Sequence, residues 1–307
     1  MTLVFDHITK QITQIDLQYQ GRRQVIASYL FFDGNEAALI ETGPALTVET
    51  LIASVRAAGV PIEILRHLFV THIHLDHSGA AGVLVQRFPW MRVYVHPVGA
   101  PHLADPSRLV TSAARLYGDR MDTVWGLPLP VPSENLVVVN DGDEFQVAGT
   151  TLRAFDTPGH ARHHHAYLDT TSGLLCTGDV GGVRMPNVCY VRPPTPPPEL
   201  DLETWKASIA RLRALKATGL CPTHFGVFRG DADWHWSDLE QRLIRWGEII
   251  REEIQKGSDD QAMLRRMEQQ IVAEFETISA DLKAYDVAAS YEHIVSGYAR
   301  YWRKKLG

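Results

Sequence analysis

The sequence predicts a mixed α/β chain that ends in helix alone, and three observations carry that expectation. Between residues 12 and 230, strand-sized apolar runs alternate with segments of helical period, in two similar halves joined by a Pro-rich stretch. Polar segments rich in histidine directly follow several of the apolar runs. From about residue 234 only the three-to-four spacing of helices remains.

Residues 12–41 read as consecutive strands, with Tyr29–Phe32 and Ala37–Ile40 flanking the hairpin signal Asp33-Gly34-Asn35. The period then changes. Thr47 is placed to cap a helix with Val48, Leu51, Ile52 and Val55 on one face, and Gly59 with Pro61 ends it. A buried-type strand, His67 to Thr71, runs into Thr71-His72-Ile73-His74-Leu75-Asp76-His77. Gly79 to Phe88 reads as helix and Arg92 to His96 as strand. The stretch 101–135, with Pro128, Pro130 and Pro132 near its end, reads as an irregular connection.

The second half reopens with strands at Val137–Val139, Phe145–Val147 and Thr151–Phe155, the last leading to Thr157-Pro158-Gly159-His160. His165–Leu168 and Leu174–Thr177 follow. Residues 181–198 form a long loop ending in Pro193-Pro194-Thr195-Pro196-Pro197-Pro198, which is either a stiff linker or a wall of a site, with Tyr190 as a candidate contact. Asp201 is placed to cap a helix bearing Trp205, Ile209, Leu212 and Leu215, and the strand Leu220 to Thr223 ends at His224. The tail carries three stripes: Leu239, Leu243, Trp246 and Ile250; Leu264, Met267, Ile271 and Phe275; and Tyr291, Ile294, Tyr298 and Tyr301. Such stripes are packing faces first.

Composition narrows the function classes. The chain has 307 residues, 45% hydrophobic and 21% charged, an ordinary globular balance able to bury a large core. Its 36 acids against 30 bases give a net charge of −6, which argues against coating nucleic acid or an anionic membrane. No window approaches the ~18 apolar residues of a membrane helix. Met1 to Gln20 lacks a basic start followed by an apolar run, so a cytoplasmic protein is expected. Cys176, Cys189 and Cys221 are odd in number and far apart, which excludes a disulfide framework. Cys176 and Cys221 sit in apolar strand contexts and read as core thiols. The unusual feature is 14 histidines, clustered near 72–77 and 160–165, which suggests metal.

His72-x-His74-x-Asp76-His77 is the most informative stretch. Residues two apart in an extended strand point the same way, so His72 and His74 can converge on one ion. Asp76 and His77 are adjacent and diverge unless the backbone turns into a helix, where they can serve a second ion. An acid at a helix start also simply suits the dipole. His160, Asp179 in Cys176-Thr177-Gly178-Asp179, and His224 in Pro222-Thr223-His224 repeat the pattern of a ligand type just after an apolar strand. Strand ends are where site residues gather.

In these motifs the chain resembles the metallo-β-lactamase superfamily of dinuclear metal hydrolases, over roughly residues 12–230. The resemblance implies a four-layer αββα sandwich over 1–230, with a helical extension over 231–307. It also implies that His72, His74 and His160 hold one metal, that Asp76, His77 and His224 hold the other, and that Asp179 bridges. Two divalent ions, zinc first with iron or manganese as alternatives, are the implied cofactor. Such ions about 3.5–4 Å apart share a water and lower its pKa towards ~7. The hydroxide so formed attacks an acyl or phosphoryl centre, with Asp76 and Asp179 as the carboxylates of the reaction. Many relatives have Asp-Thr-Gly where this chain has Glu41-Thr42-Gly43, and Pro-Gly-His where it has Pro222-Thr223-His224.

Around the ligands, His163, His164 and His165 cannot all face the site from one strand, and His164 is the expected neighbour of ligands or substrate. Trp234 and Trp236 either roof the site or dock the tail. The reading that follows is hydrolysis of a small ester, thioester or lactone, as in glyoxalase II-type thioesterases and acyl-homoserine lactonases. The alternatives are a phosphodiesterase or nuclease, an iron-dependent dioxygenase of the persulfide type, and a non-catalytic effector that keeps its metals. A small-molecule substrate is expected, nucleic acid and membrane are not, and the tail is a candidate surface for a homodimer.

Overall fold

The computed structural model describes residues 2–276, 278 and 281–307. The first half runs β1 (Val4–His7), β2 (Ile12–Asp16), β3 (Ala27–Phe32), β4 (Ala37–Ile40), α1 (Val48–Ala57), β5 (Leu65–Phe69), α2 (Leu75–Ser78), α3 (Ala81–Arg87) and β6 (Arg92–Val95). Helices α4 (Ala100–Ala104), α5 (Ser107–Tyr117) and α6 (Met121–Val124) then lead to β7 (Leu136–Val138). The second half holds β8 (Glu144–Val147), β9 (Thr150–Asp156), β10 (His165–Asp169), β11 (Leu174–Cys176), β12 (Val183–Arg184), β13 (Val191–Arg192), α7 (Leu202–Ala214) and β14 (Gly219–Cys221). The tail consists of α8 (Ala232–Gln255), α9 (Asp260–Phe275), α10 (Leu282–Ala288) and α11 (Tyr291–Leu306).

Among the described residues, β1 to β7 form one sheet in chain order, and a second sheet has the order β14-β11-β10-β9-β8. The pairings from β4 to β7 and between β11 and β14 are parallel, and the other pairings in the two sheets are antiparallel. The alternation of β4 shows how sequence sets the layers. Ala37 and Leu39 face the core beneath α1 and α3, while Ala38 and Ile40 face the core between the sheets. The inter-sheet core joins Tyr29, Phe31 and Phe69 to Leu152, Tyr167 and Cys176. A third core joins the outer face of the second sheet to α7 and the tail helices. The result is helix, sheet, sheet, helix.

Local signals hold with some shifts. In the β3–β4 turn the Asp33 carboxylate accepts from the backbone N–H of Asn35 and Glu36 at 2.8 and 3.0 Å. The apolar face of α1 is buried as its spacing predicts, and Gly59 ends it at φ +83°. Thr47 precedes α1, but its hydroxyl donates to the Pro44 carbonyl at 3.0 Å instead of capping the helix. Asp201 does cap α7, accepting from Thr204 N–H at 3.0 Å.

Two stretches depart from expectation. Residues 101–135 are not irregular throughout, because α4, α5 and α6 lie there. The stretch 181–198 contains a short antiparallel pair, Val183 opposite Arg192. Helix α10 had no distinct periodic signal. Among the described residues, no helix is long and apolar enough to cross a membrane.

The tail shares its core with the second sheet's outer layer. Trp236, Leu239, Leu243 and Trp246 of α8 meet Trp205, Ile209 and Leu212 of α7. Polar edges are matched: Trp246 Nε1 donates to Glu274 Oε1 at 3.0 Å, and the Tyr298 hydroxyl donates to the Leu243 carbonyl at 2.9 Å. Helix α11 presses on the Pro-rich run. The Thr195 hydroxyl donates to the Ile294 carbonyl at 3.2 Å, and a Cβ at Gly297 would overlap the Thr195 carbonyl oxygen. Trp236 is 1% exposed. Trp236→Ala should therefore cost about 3–5 kcal/mol in urea unfolding.

Candidate metal centre

The ligand types all follow strand ends at one edge of the two sheets. His72, His74, Asp76 and His77 come after β5, His160 after β9, Asp179 after β11 and His224 after β14. The backbone turns into α2 at Leu75, and this separates Asp76 and His77 from the strand-end pair. Glycine provides the close approach at two positions. Gly159 has φ +139° and lies against the Trp205 backbone, and Gly178 has φ +51° and lies against Thr71 and His164.

Two donor groups result, each with atoms within 4.8 Å of one another: His72, His74, His160 and Asp179, and then Asp76, His77 and His224. In the first group, His74 Nδ1 lies 2.9 Å from His72 Nε2 and 3.0 Å from His160 Nε2. Asp179 reaches both groups. Its Oδ2 is 3.3 Å from His160 Nε2, and its Oδ1 is 3.2 Å from His77 Nε2 and 3.5 Å from His224 Nε2. Asp76 Oδ2 is 3.3 Å from His224 Nε2 and 3.6 Å from His77 Nε2. A tetrahedral site with bonds of about 2.0–2.1 Å puts its donors about 3.4 Å apart, so the spacings fit.

The acceptor behind each ring fixes its tautomer. His160 Nδ1–H donates to the Pro194 carbonyl at 2.8 Å, and His224 Nδ1–H donates to the Val25 carbonyl at 2.7 Å. His77 Nδ1–H donates to Glu41 Oε1 at 2.8 Å. The Thr71 hydroxyl gives its proton to Glu41 Oε1 at 2.6 Å, so its oxygen accepts from His72 Nδ1–H at 3.1 Å. In all four rings the Nε2 lone pair is left pointing inward. Nitrogen lone pairs aimed at carboxylate oxygens repel unless a proton or a metal cation lies between. His77 Nε2, His224 Nε2 and Asp179 Oδ1 are buried without a hydrogen-bond partner among the described residues. The donor set therefore fits divalent metal, and Asp179 lies within reach of both groups.

Titration directions agree. Burial pushes His72 and His160 below the ordinary histidine range and His74 down to about 3, so the first three rings are neutral. At His77, burial also acts downward, but Asp179, Glu41 and Asp76 outweigh it and raise the ring well above that range. Burial tends to raise Asp179, yet the His77, His160 and His224 rings hold it well below the usual carboxylate range. The acids thus demand positive charge at the second group.

Glu41 is the hub behind both groups. Besides His77 and Thr71, its Oε1 accepts from the Thr223 hydroxyl at 3.0 Å, and its Oε2 accepts from Thr71 N–H at 3.2 Å. His164 packs behind the ligands, its Nδ1 2.8 Å from the Thr157 hydroxyl oxygen, and its ring centroid 5.0 Å from that of His72. Of the three consecutive histidines it is His163 that lines the cavity above the ligands. His165 belongs to a third group with His96 and Asp156. There His96 Nδ1 accepts from Val98 N–H at 3.0 Å, so its proton sits on Nε2, 3.3 Å from Asp156 Oδ1. Asp156 Oδ1 and both nitrogens of His165 are buried without a hydrogen-bond partner among the described residues.

Three expected neighbours are not at the site. Tyr190 is buried against Phe275 and Tyr285 with Arg242 over its ring, and Trp234 and Trp236 pack with the tail helices. None lines the cavity, whose floor holds His74, Asp76 and Asp179. Their apolar stripes show that they pack, not what they pack on. The aromatics that do line it, Tyr19, Tyr117 and Trp125, carried no motif. Thr71 and Thr223 were legible in principle, since each immediately precedes a ligand. The Val25 and Pro194 carbonyls were not, because a backbone acceptor has no sequence signature.

Residues 21–224 match the description "Metallo-beta-lactamase superfamily". A metallo-beta-lactamase fold-containing protein of Sulfurisphaera tokodaii is 30% identical over 166 residues, 53% of this chain and 61% of the relative. An atrochrysone carboxyl ACP thioesterase of Aspergillus fumigatus is 27% identical over 223 residues, 73% of this chain and 43% of the relative. The chain thus spans less than two thirds of the length of either relative. A metallo-beta-lactamase family protein from Thermus thermophilus superposes with a TM-score of 0.67 at 20% identity, over 92% of this chain and 89% of that one, which shows a shared fold. By fold, donor set and sequence match, the chain belongs to the metallo-beta-lactamase superfamily, a superfamily of metal-dependent hydrolases.

Proposed function

We propose that the protein is a zinc-dependent hydrolase of a small ester, thioester or lactone. The observation that carries this reading is the position of His74, Asp76 and Asp179 on the floor of a cavity of about 480 Å3 whose walls are part polar and part apolar, the apolar part on one side supplied by Leu109, Ala113 and Leu116. A polynucleotide needs an open, basic groove, and the net charge of −6 opposes one. The thioesterase relative, at 27% identity, supports an acyl substrate and the thioester within that class.

His72, His74 and His160 would hold one ion, Asp76, His77 and His224 the other, and Asp179 would hold both. Bound there, the pair supplies Lewis acidity and a water acidic enough to be hydroxide near neutral pH. The residues do the rest. Asp76 Oδ2 is turned to His224 and His77, which would leave Oδ1 to accept a hydrogen bond from the attacking water and orient it. The Val25, Pro194 and Glu41 acceptors keep each Nε2 lone pair on target. The buried ring of histidines excludes bulk water from the floor.

The test is a panel of esters, thioesters, lactones and phosphodiesters given to zinc-loaded protein. At least one acyl class should turn over, stop on chelation and resume on adding zinc. Turnover confined to phosphodiesters, or oxygen uptake by an iron-loaded preparation with no acyl hydrolysis, would overturn the reading.

A further inference from the structure

The cavity walls narrow the substrate, given the acyl-hydrolase reading above. Helix α5 presents Leu109, Ala113, Leu116 and Tyr117 to the cavity, at positions i, i+4, i+7 and i+8, with Arg108 and Ser112 along the edge of that stripe. None of its residues is buried, and Leu109, Ala113 and Tyr117 touch the first sheet's core only at its edge. An apolar stripe of this kind normally faces a core. Here it faces the space above the metal ligands.

Opposite and beside it runs an unbroken chain of rings. Tyr19 stacks on Trp125 with centroids 5.4 Å apart and planes 14° apart. Tyr117 meets Trp125 edge-on at 5.2 Å and meets His293 of α11 edge-on at 5.1 Å. An acetyl group over Asp76 and Asp179 would leave most of about 480 Å3 without contact. The stripe and the rings are continuous with the reacting position, so one occupant satisfies both. We propose that the substrate's acyl part is a bulky, ring-bearing apolar group, seated between the α5 stripe and the Tyr19–Trp125–Tyr117 rings. Flat faces and ring edges favour flat partners in offset or edge contact.

N-acetylcysteamine thioesters of acetyl, octanoyl, benzoyl and 2-naphthoyl groups test this on the zinc-loaded enzyme. The expected order of kcat/KM rises from acetyl to naphthoyl by about 100-fold, with naphthoyl above octanoyl. Ala113→Trp, which fills the stripe, should lower the naphthoyl-to-acetyl ratio by about tenfold or more. Calorimetric binding of 2-naphthoate gives a second readout independent of turnover, and it should weaken in the same variant. A preference for acetyl or octanoyl, or a ratio unchanged in folded Ala113→Trp, overturns the proposal while leaving acyl hydrolysis intact. Naphthoate binding that Ala113→Trp abolishes, in a protein that hydrolyses no thioester, supports the pocket and sinks the reaction instead.

Discussion

Asp179→Ala should remove at least one equivalent of metal and lower kcat/KM by about 10²–10³-fold or more, while the far-UV circular dichroism stays that of the parent. The reason is its reach. One carboxylate faces His160 with Oδ2 and both His77 and His224 with Oδ1. Its loss takes a donor from both groups and the charge that offsets two cations. Electrostatic groups aimed at developing charge carry effects of about this size. Elemental analysis of purified variant and parent, paired with turnover of whichever acyl substrate the panel identifies, gives the answer. A variant that keeps its full metal complement and more than a tenth of parental kcat/KM would remove Asp179 from the shared position.

Glu41→Ala is the second large effect, and it should act on stability as well as on metal. The side chain is fully buried and accepts from His77, Thr71 and Thr223. Removing it strands the His77 ring and two hydroxyls, so unfolding stability should fall by about 3–5 kcal/mol, the scale of breaking a buried pair. Zinc affinity should drop by about 10–100-fold, because the acceptor that orients His77 is gone. Glu41→Gln keeps the shape and much of the hydrogen bonding but loses the charge. It should recover most of the stability and little of the affinity. Urea unfolding and competition against a chromophoric chelator separate the two quantities. The backbone adds weight, since Glu41 sits at φ +71°, a left-handed conformation that costs a non-glycine residue about 1 kcal/mol or more. A glycine would relieve that strain but could not make the contacts.

Much of this was legible from residue order, for identifiable reasons. The alternation in Ala37–Ile40 and the spacing of Val48, Leu51, Ile52 and Val55 are properties of single elements, and burial on one side enforces them. The seven ligand types stood out because chemistry restricts them and because each follows an apolar strand. The rest depends on what faces what. The stripe of helix α5 is turned to a cavity, and proline flanks its segment on both sides, so neither core periodicity nor local propensity marks it. Tyr190, Trp234 and Trp236 were attractive as neighbours in sequence, yet tertiary packing gave that role to Tyr19, Tyr117 and Trp125 from distant stretches. His163 and His164 both precede β10, which starts at His165, and His163 stands in the turn before it, so strand alternation does not decide which of them meets the cavity.

The pressing of α11 on the Pro-rich run ties the tail to the site. All seven ligand types lie between residues 72 and 224, whereas residues 286–294 close the far wall of the cavity and α11 braces Thr195. The tail thus adds a wall to a cavity whose other walls, α5 and the Tyr19–Trp125 pair, come from the same stretch as the ligands or from before it. Through Thr195 and its neighbour Pro194, whose carbonyl holds the His160 ring, the last helix also reaches back to a metal-ligand type, so a change in α11 is felt at the wall and at the floor together.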